Sequence, residues 1–196
     1  MGKTIKKTAI VTIAALIILS GLFYFLFPLI SPKSASDIYW NFGNKTQTVK
    51  YSEKAYEKDK TFDNLLTLCD RAVWAENSEV CAAYIPKLLS DGEFKSYAEN
   101  TDGSGVYSGS TIYYYACELV SAYCVLDLED DALNAAYTYT TEYTAVNPLR
   151  TVMIEAFSEN NKDFCNKIYN FFTEKNFDYG GKYSSDMQTL KTYALS

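Results

Sequence analysis

The sequence predicts an all-α protein: one N-terminal transmembrane helix followed by an array of α-helical hairpins. Three observations carry this expectation. The stretch from Thr8 to Ile30 contains no charged residue and is dominated by Ile, Leu, Ala, Val and Phe. Beyond it, apolar residues recur at spacings of three and four, while strict period-2 alternation never lasts long enough for a sheet. Proline is nearly absent from the same region, so little interrupts a helix there.

At about 1.5 Å per residue, a helix over residues 8–30 covers roughly 30 Å of hydrocarbon. A secretory signal has a shorter apolar core, about 7 to 15 residues, closed by a small-residue cleavage site. Here the run continues through Phe23, Tyr24, Phe25 and Phe27, and Ser34-Ala35-Ser36 lies past its end, after Pro32 and Lys33. No Cys follows the run to accept a lipid. Residues 8–30 are therefore expected to stay in the bilayer as an anchor. Lys3, Lys6 and Lys7 fill the short tail 1–7, whereas the first basic residues after the span are Lys33 and then Lys45. The positive-inside rule places the tail in the cytoplasm and the remainder outside it.

Residues 31–45, rich in Ser, Pro and Asn, read as a linker between bilayer and domain. The domain, 46–196, divides into helical segments at about 46–58, 62–76, 79–98, 110–126, 129–145, 148–158, 161–175 and 183–195. Asp91-Gly92 is placed to kink or split the third segment. The Gly- and Ser-rich stretch starting at Thr101 opens a loop that runs to Ser110, Asn147-Pro148 stops one helix and starts the next, and Gly180-Gly181 isolates the last. Residues 31–196 hold 24 acidic against 15 basic residues, a net charge of −9. Nucleic-acid binding needs phosphates neutralised by Lys and Arg, so that function class is excluded.

An internal periodicity links the segments. Leu65, Leu68, Cys69 and Ala72 on one helix and Cys81, Ile85 and Leu88 on the next form a set of seven uncharged positions. Moved along the chain so that Leu65 falls on Ala116, the same offsets select Leu119, Val120, Tyr123, Ala132, Ala136 and Tyr139. Moved on to Leu149, they select Val152, Met153, Ala156, Cys165, Tyr169 and Phe172. At these positions, over residues 62–175, the chain resembles the tetratricopeptide repeat family, whose helix pairs carry apolar, small and aromatic residues in this order. The first set departs from the family pattern at Leu65 and Cys69, the third at Met153, and the proline usual after the second helix is missing. The wider gap between the first two sets requires an insertion, which the loop at 99–110 supplies. The resemblance implies an α-solenoid whose hairpins stack because none buries its apolar stripe alone, with the segment 183–195 as a cap.

Catalytic chemistry is sparse. The chain contains no His, which removes the commonest general base and the commonest zinc ligand. Neither a dinucleotide-binding G-x-G-x-x-G nor a phosphate-binding G-x-x-x-x-G-K-[ST] occurs. Glu129-Asp130-Asp131 reads as an acidic helix N-terminus, and Glu155 and Glu159 as a solvated face. No enzyme activity, catalytic residue, metal or cofactor is expected. Cys117 and Cys124, about 10 Å apart along one helix, are too distant for a disulfide and read as small apolar packers. The resemblance places Cys69 and Cys81 where two helices approach closely, either as a disulfide in an oxidising compartment or as occupants of small-residue slots.

Tetratricopeptide-like proteins hold peptides on the surface of their first helices. Carried over, this makes Asp70, Tyr114, Glu118 and Arg150 the expected contacts for a protein partner, with residues 8–30 contacting lipid. A second expectation comes from the 18 Tyr residues. Tyr113-Tyr114-Tyr115 cover most of a helix circumference, so at least one faces outward, and with Tyr137, Tyr139 and Tyr143 they suit an extracellular carbohydrate or small ligand.

Overall fold

The computed structural model describes residues 2–102, 110–140, 147–177, 181 and 183–196. Among them are eleven helices and no strand. The chain divides into two compact units, Met1–Arg71 and Ala72–Ser196.

The first unit begins with α1, Gly2–Ile30. Its stretch Thr12–Ile30 is the one helix among the described residues long and apolar enough to cross a membrane. Its side chains find almost no protein to pack against: Ile17 is 66% exposed, and Leu22, Leu29 and Ile30 are also exposed.

The expected linker 31–45 is corrected. It contains a second helix, α2 (Pro32–Asn41), packed against α3 (Lys45–Lys58). Residue types that suggested a linker have other roles here. Pro32 occupies the first helical turn, where its missing N–H costs nothing. Ser36, Thr48 and Ser52 are buried between the helices. Ser36 Oγ donates to the Thr48 carbonyl at 2.7 Å and lies 2.6 Å from Ser52 Oγ. Arg71, from α4 (Phe62–Ala75), completes the network. Its guanidinium donates to Ser36 Oγ and to Ser52 Oγ, the latter at 3.3 Å, pairs with Asp37, and lies 5.5 Å from the Trp40 ring centroid. These partners satisfy a cation that is almost wholly removed from water, without which its burial would be costly.

The second unit holds the end of α4 and α5 (Ser78–Leu89), α6 (Gly92–Asp102), α7 (Ser110–Val125), α8 (Glu129–Tyr139), α9 (Pro148–Ser158), α10 (Lys162–Glu174) and α11 (Ser184–Leu195). Helix α7 packs on α5, α6, α8 and α9, α9 also packs on α8 and α10, and α11 packs on α10. The segment expected at 79–98 is split: α5 ends at Leu89, and Asp91 Oδ1 accepts from the Glu93 N–H at 2.8 Å as α6 starts. The segment expected to reach 145 ends at Tyr139. Thr140 leaves the helix there, and its hydroxyl accepts the buried N–H of Leu149 at 3.1 Å. The centre of the expected 99–110 loop, together with Tyr143 and Gly180, lies outside the described residues.

One turn recurs along the chain. Gly43, Glu76, Asp127, Asn160 and Asn176 have φ between 49° and 68°. Each follows a helix and closes it with the same pair of bonds. The Glu76 N–H reaches the Val73 carbonyl at 2.9 Å, and the Asn77 N–H reaches that of Ala72 at 3.0 Å. The equivalent pairs at Gly43, Asp127, Asn160 and Asn176 are 2.9 to 3.1 Å long. This is the Schellman arrangement, which satisfies the last carbonyls of a helix through one left-handed residue. After Gly43, Glu76 and Asn160 the next residue is Asn, whose side chain caps the following helix: Asn44 on Gln47, Asn77 on Val80, Asn161 on Phe164. Leu128 has no capping oxygen, and the acidic Glu129, Asp130 and Asp131 complement the N-terminus of α8 instead.

The turns are spaced regularly. The interval from Gly43 to Glu76 equals that from Asp127 to Asn160, and a longer one separates Glu76 from Asp127. The shifts that relate the three apolar sets are the same as the last two of these intervals. Every position of the three sets is buried except Tyr123, Tyr139 and Tyr169, which are half-buried. Moved back from the first set by the Gly43-to-Glu76 interval, the same frame falls on Pro32, Ala35, Ser36, Tyr39, Thr48, Ser52 and Ala55. All of these are buried except the half-buried Tyr39.

Two outcomes follow for urea unfolding of the full chain. Gly43→Ala is expected to cost about 1 kcal/mol from backbone strain alone, because an added Cβ would meet no atom within 4 Å. Thr48 Oγ1 is buried with no hydrogen-bond partner, so Thr48→Val is expected to stabilise by about 1 kcal/mol.

Candidate functional site

Helical spacing puts Tyr114, Glu118, Ser121 and Val125 on one side of α7, while Ala116, Leu119 and Val120 point into the core. Tyr114 is 47% and Val125 63% exposed, with Glu118 and Ser121 half-buried between them. Beside this stripe lies a groove of about 360 Å³, whose lining includes Val73, Glu76, Cys81, Glu118 and Ser121. Across from α7, Glu155 of α9 accepts a hydrogen bond from Ser121 Oγ.

The electrostatics of the stripe are acidic and partly dry. Burial holds the Glu118 carboxyl above the usual carboxylate range, and the nearby Glu155 charge raises it further. Burial, assisted by Glu118, pushes the Cys81 thiol up to about 12. Cys124 rises to about 12 as well, through burial and the charges of Glu155, Glu159 and Glu129. Cys117 is raised by burial against a lowering hydrogen bond with Thr151. At about 12, the Cys81 and Cys124 thiols are not thiolates at neutral pH, and the thiolate is the nucleophile and metal ligand. Among the described residues, no group of three or more Cys, Asp or Glu is arranged to hold a metal ion.

The residues expected from sequence have different surroundings. Tyr114 and Glu118 share the α7 stripe, as their spacing of four requires. Asp70 is exposed on α4, within the first unit. Arg150 is committed elsewhere: its Nε lies 3.2 Å from Asp186 Oδ2, an ion pair joining α9 to α11. Cys69 and Cys81 are both buried, and the structure contains no disulfide between them.

The tyrosines do not form one surface. Tyr113 and Tyr115 are buried, with Tyr115 edge-on to Phe94 at 5.4 Å, so Tyr114 alone of the three faces out. Tyr137 belongs to an aromatic cluster with Phe171, Phe172 and Phe177. Sequence reasoning passed over Ser121 and Val125, and read Glu155 only as part of a solvated face. The first two continue from Tyr114 and Glu118 at helical spacing, a signal present in the sequence.

In comparisons with known proteins, no family model, curated protein or solved structure matches the chain.

Because the folded state raises the Glu118 carboxyl, this group lowers stability as pH rises from the unfolded carboxylate range through the folded value. Glu118→Gln removes that loss. Thermal unfolding is expected to show a higher midpoint for the variant at neutral pH and no difference at about pH 3, where both forms are neutral.

Proposed function

We propose that the chain is a single-pass membrane protein whose tetratricopeptide-like α-solenoid binds a polypeptide partner outside the cytoplasm, through the face formed by its first helices. The observation that carries this reading is the spacing of the left-handed turns, with the same interval from Gly43 to Glu76 and again from Asp127 to Asn160. Equal spacing of one turn, with equivalent positions buried at each pass, is what stacked hairpins of one length produce. The longer interval from Glu76 to Asp127 accommodates α6 as an insertion. An exposed apolar α1 adds support for the anchor, because lipid removes from water what no protein covers.

The α7 face sets the chemistry of the partner. Tyr114 and Val125 supply apolar contact at either end, and Glu118 lies between them with a carboxylate whose charge is disfavoured in the free protein. A Lys or Arg of the partner placed there would relieve that cost through a charge-assisted bond. The reading is therefore a scaffold or adaptor role, in which the face recognises a segment carrying an aromatic or aliphatic anchor beside a basic residue.

The test is photo-crosslinking in the native membrane, with p-benzoylphenylalanine replacing Tyr114 in one full-length chain and the exposed Asn134 of α8 in another. A polypeptide adduct at Tyr114 that is absent at Asn134 and lost on Glu118→Lys is the expected result. The reading fails if both positions give the same adducts, or if neither captures a polypeptide.

A further inference from the structure

Helix α2 does not continue outward from α1 but turns back along it. Leu16, Leu19 and Phe27 of α1 line one groove of about 680 Å³ together with Ala35, Ile38 and Phe42. The chain bends at Ser31, whose φ of −132° and ψ of 79° interrupt the helix before Pro32. Helix α3 returns to the bend, where Lys58 Nζ donates to the carbonyl of Ile30 at 2.9 Å. The α2–α3 hairpin therefore lies beside the C-terminal half of α1.

This placement and a spanning α1 cannot both hold. At about 1.5 Å per residue, Leu19 lies about 16 Å below Ile30, near the middle of a hydrocarbon core about 30 Å thick. A hairpin kept at that level would carry Asp37, Lys45, Lys50, Glu53 and Lys54 into lipid, where each charge is costly. The two sides of α2 show which contact gives way. Toward α3, Ser36 Oγ is buried and donates to the Thr48 carbonyl at 2.7 Å, a directional bond that ties the hairpin together. Toward α1 every residue lining the groove is uncharged. Ile38 there is 43% exposed and Phe42 83% exposed, so α1 leaves this side of α2 incompletely covered.

We infer that α2 swings away from α1 about Ser31 when α1 enters a bilayer, and that Ile38, Tyr39 and Phe42 then rest on the leaflet around the anchor. Opening through about a right angle turns the side of α2 that faced α1 onto the membrane surface and leaves α3, with its lysines, on the water side. Ile38 and Phe42 gain the apolar surroundings that α1 supplied only in part, and Tyr39 places an amphipathic ring at the interface. The partner of this face is the interfacial layer of the bilayer, whatever the headgroup charge. Since the conflict arises only if α1 spans, this rests on the anchor reading.

The test puts the fluorescent amino acid Anap at Leu19, at Phe42 or at Glu57 of the full-length chain. Glu57 lies on the side of α3 opposite the buried Thr48, Ser52 and Ala55. All three positions are exposed, so the label displaces no packed side chain. Each chain is reconstituted in phosphatidylcholine vesicles that carry a nitroxide quencher either near the headgroup or deep in the acyl chain. The label at 19 is expected to be quenched most by the deep nitroxide, the label at 42 at least about two-fold more by the shallow one than by the deep one, and the label at 57 by neither. Deep quenching at 42 to match that at 19 would mean that the hairpin enters the bilayer closed. No quenching at 42, or equal quenching at 42 and 57, would mean that α2 does not rest on the leaflet. Either result overturns the opening and leaves the anchor intact, whereas absence of deep quenching at 19 overturns the anchor reading and the opening with it.

Discussion

A helix ends with carbonyls that have no partner within it, and a chain that must reverse direction has to satisfy them in very few residues. The Schellman turn at Gly43, Glu76, Asp127, Asn160 and Asn176 meets that constraint, and the rest of the structure depends on it. One left-handed residue returns two N–H groups to the helix just completed. At three of these turns the following Asn accepts a free N–H of the next helix, so reversal is compact and both helix ends are capped. Fixing the turn fixes where the next helix starts relative to the one just completed. The cost of holding Glu76 or Asp127 at positive φ is about 1 kcal/mol each, small beside the burial of a hairpin's apolar stripe.

Most of this architecture was legible from spacing. Six of the eight expected segments match helices to within a few residues at each end, another stops early at Thr140, and the remaining one divides at the Asp91-Gly92 break that the sequence singled out. The α2–α3 hairpin was missed for a physical reason. A search for apolar periodicity does not detect a core made of Ser36, Thr48 and Ser52, which is stable only because Arg71 and a helix carbonyl satisfy the serine hydroxyls. A signal was nevertheless present: Gly43-Asn44 precedes Glu76-Asn77 by the same interval that separates Asp127 from Asn160. The site was less legible. Three consecutive tyrosines point around a helix, and only the packing of Phe94 against Tyr115 settles that Tyr114 is outside. Likewise, spacing along α9 places Arg150 on a surface but does not reveal that Asp186 of α11 occupies its guanidinium.

Charge and polarity divide the chain by role. Residues 31–60 are rich in lysine, while beyond residue 60 the chain is strongly acidic, and the buried Cys81 and Cys124 thiols are held up at about 12. In the proposed arrangement, with α1 in a bilayer, anionic lipid would attract the basic segment next to the span and repel the acidic remainder. Glu118 belongs to the acidic part, as a carboxylate kept partly dry on the α7 face.

That one left-handed turn closes these helices is tested most directly by the intraresidue amide-to-Hα NOE of the full-length chain in bicelles, which for a residue with a single Hα is strong only where φ is positive. Strong effects are expected at Glu76, Asp127, Asn160 and Asn176, with ordinary helical values in the helix before each. Weak, helix-like effects at Glu76 and Asp127 would mean that the helices run through these positions, and the hairpin array would be contradicted.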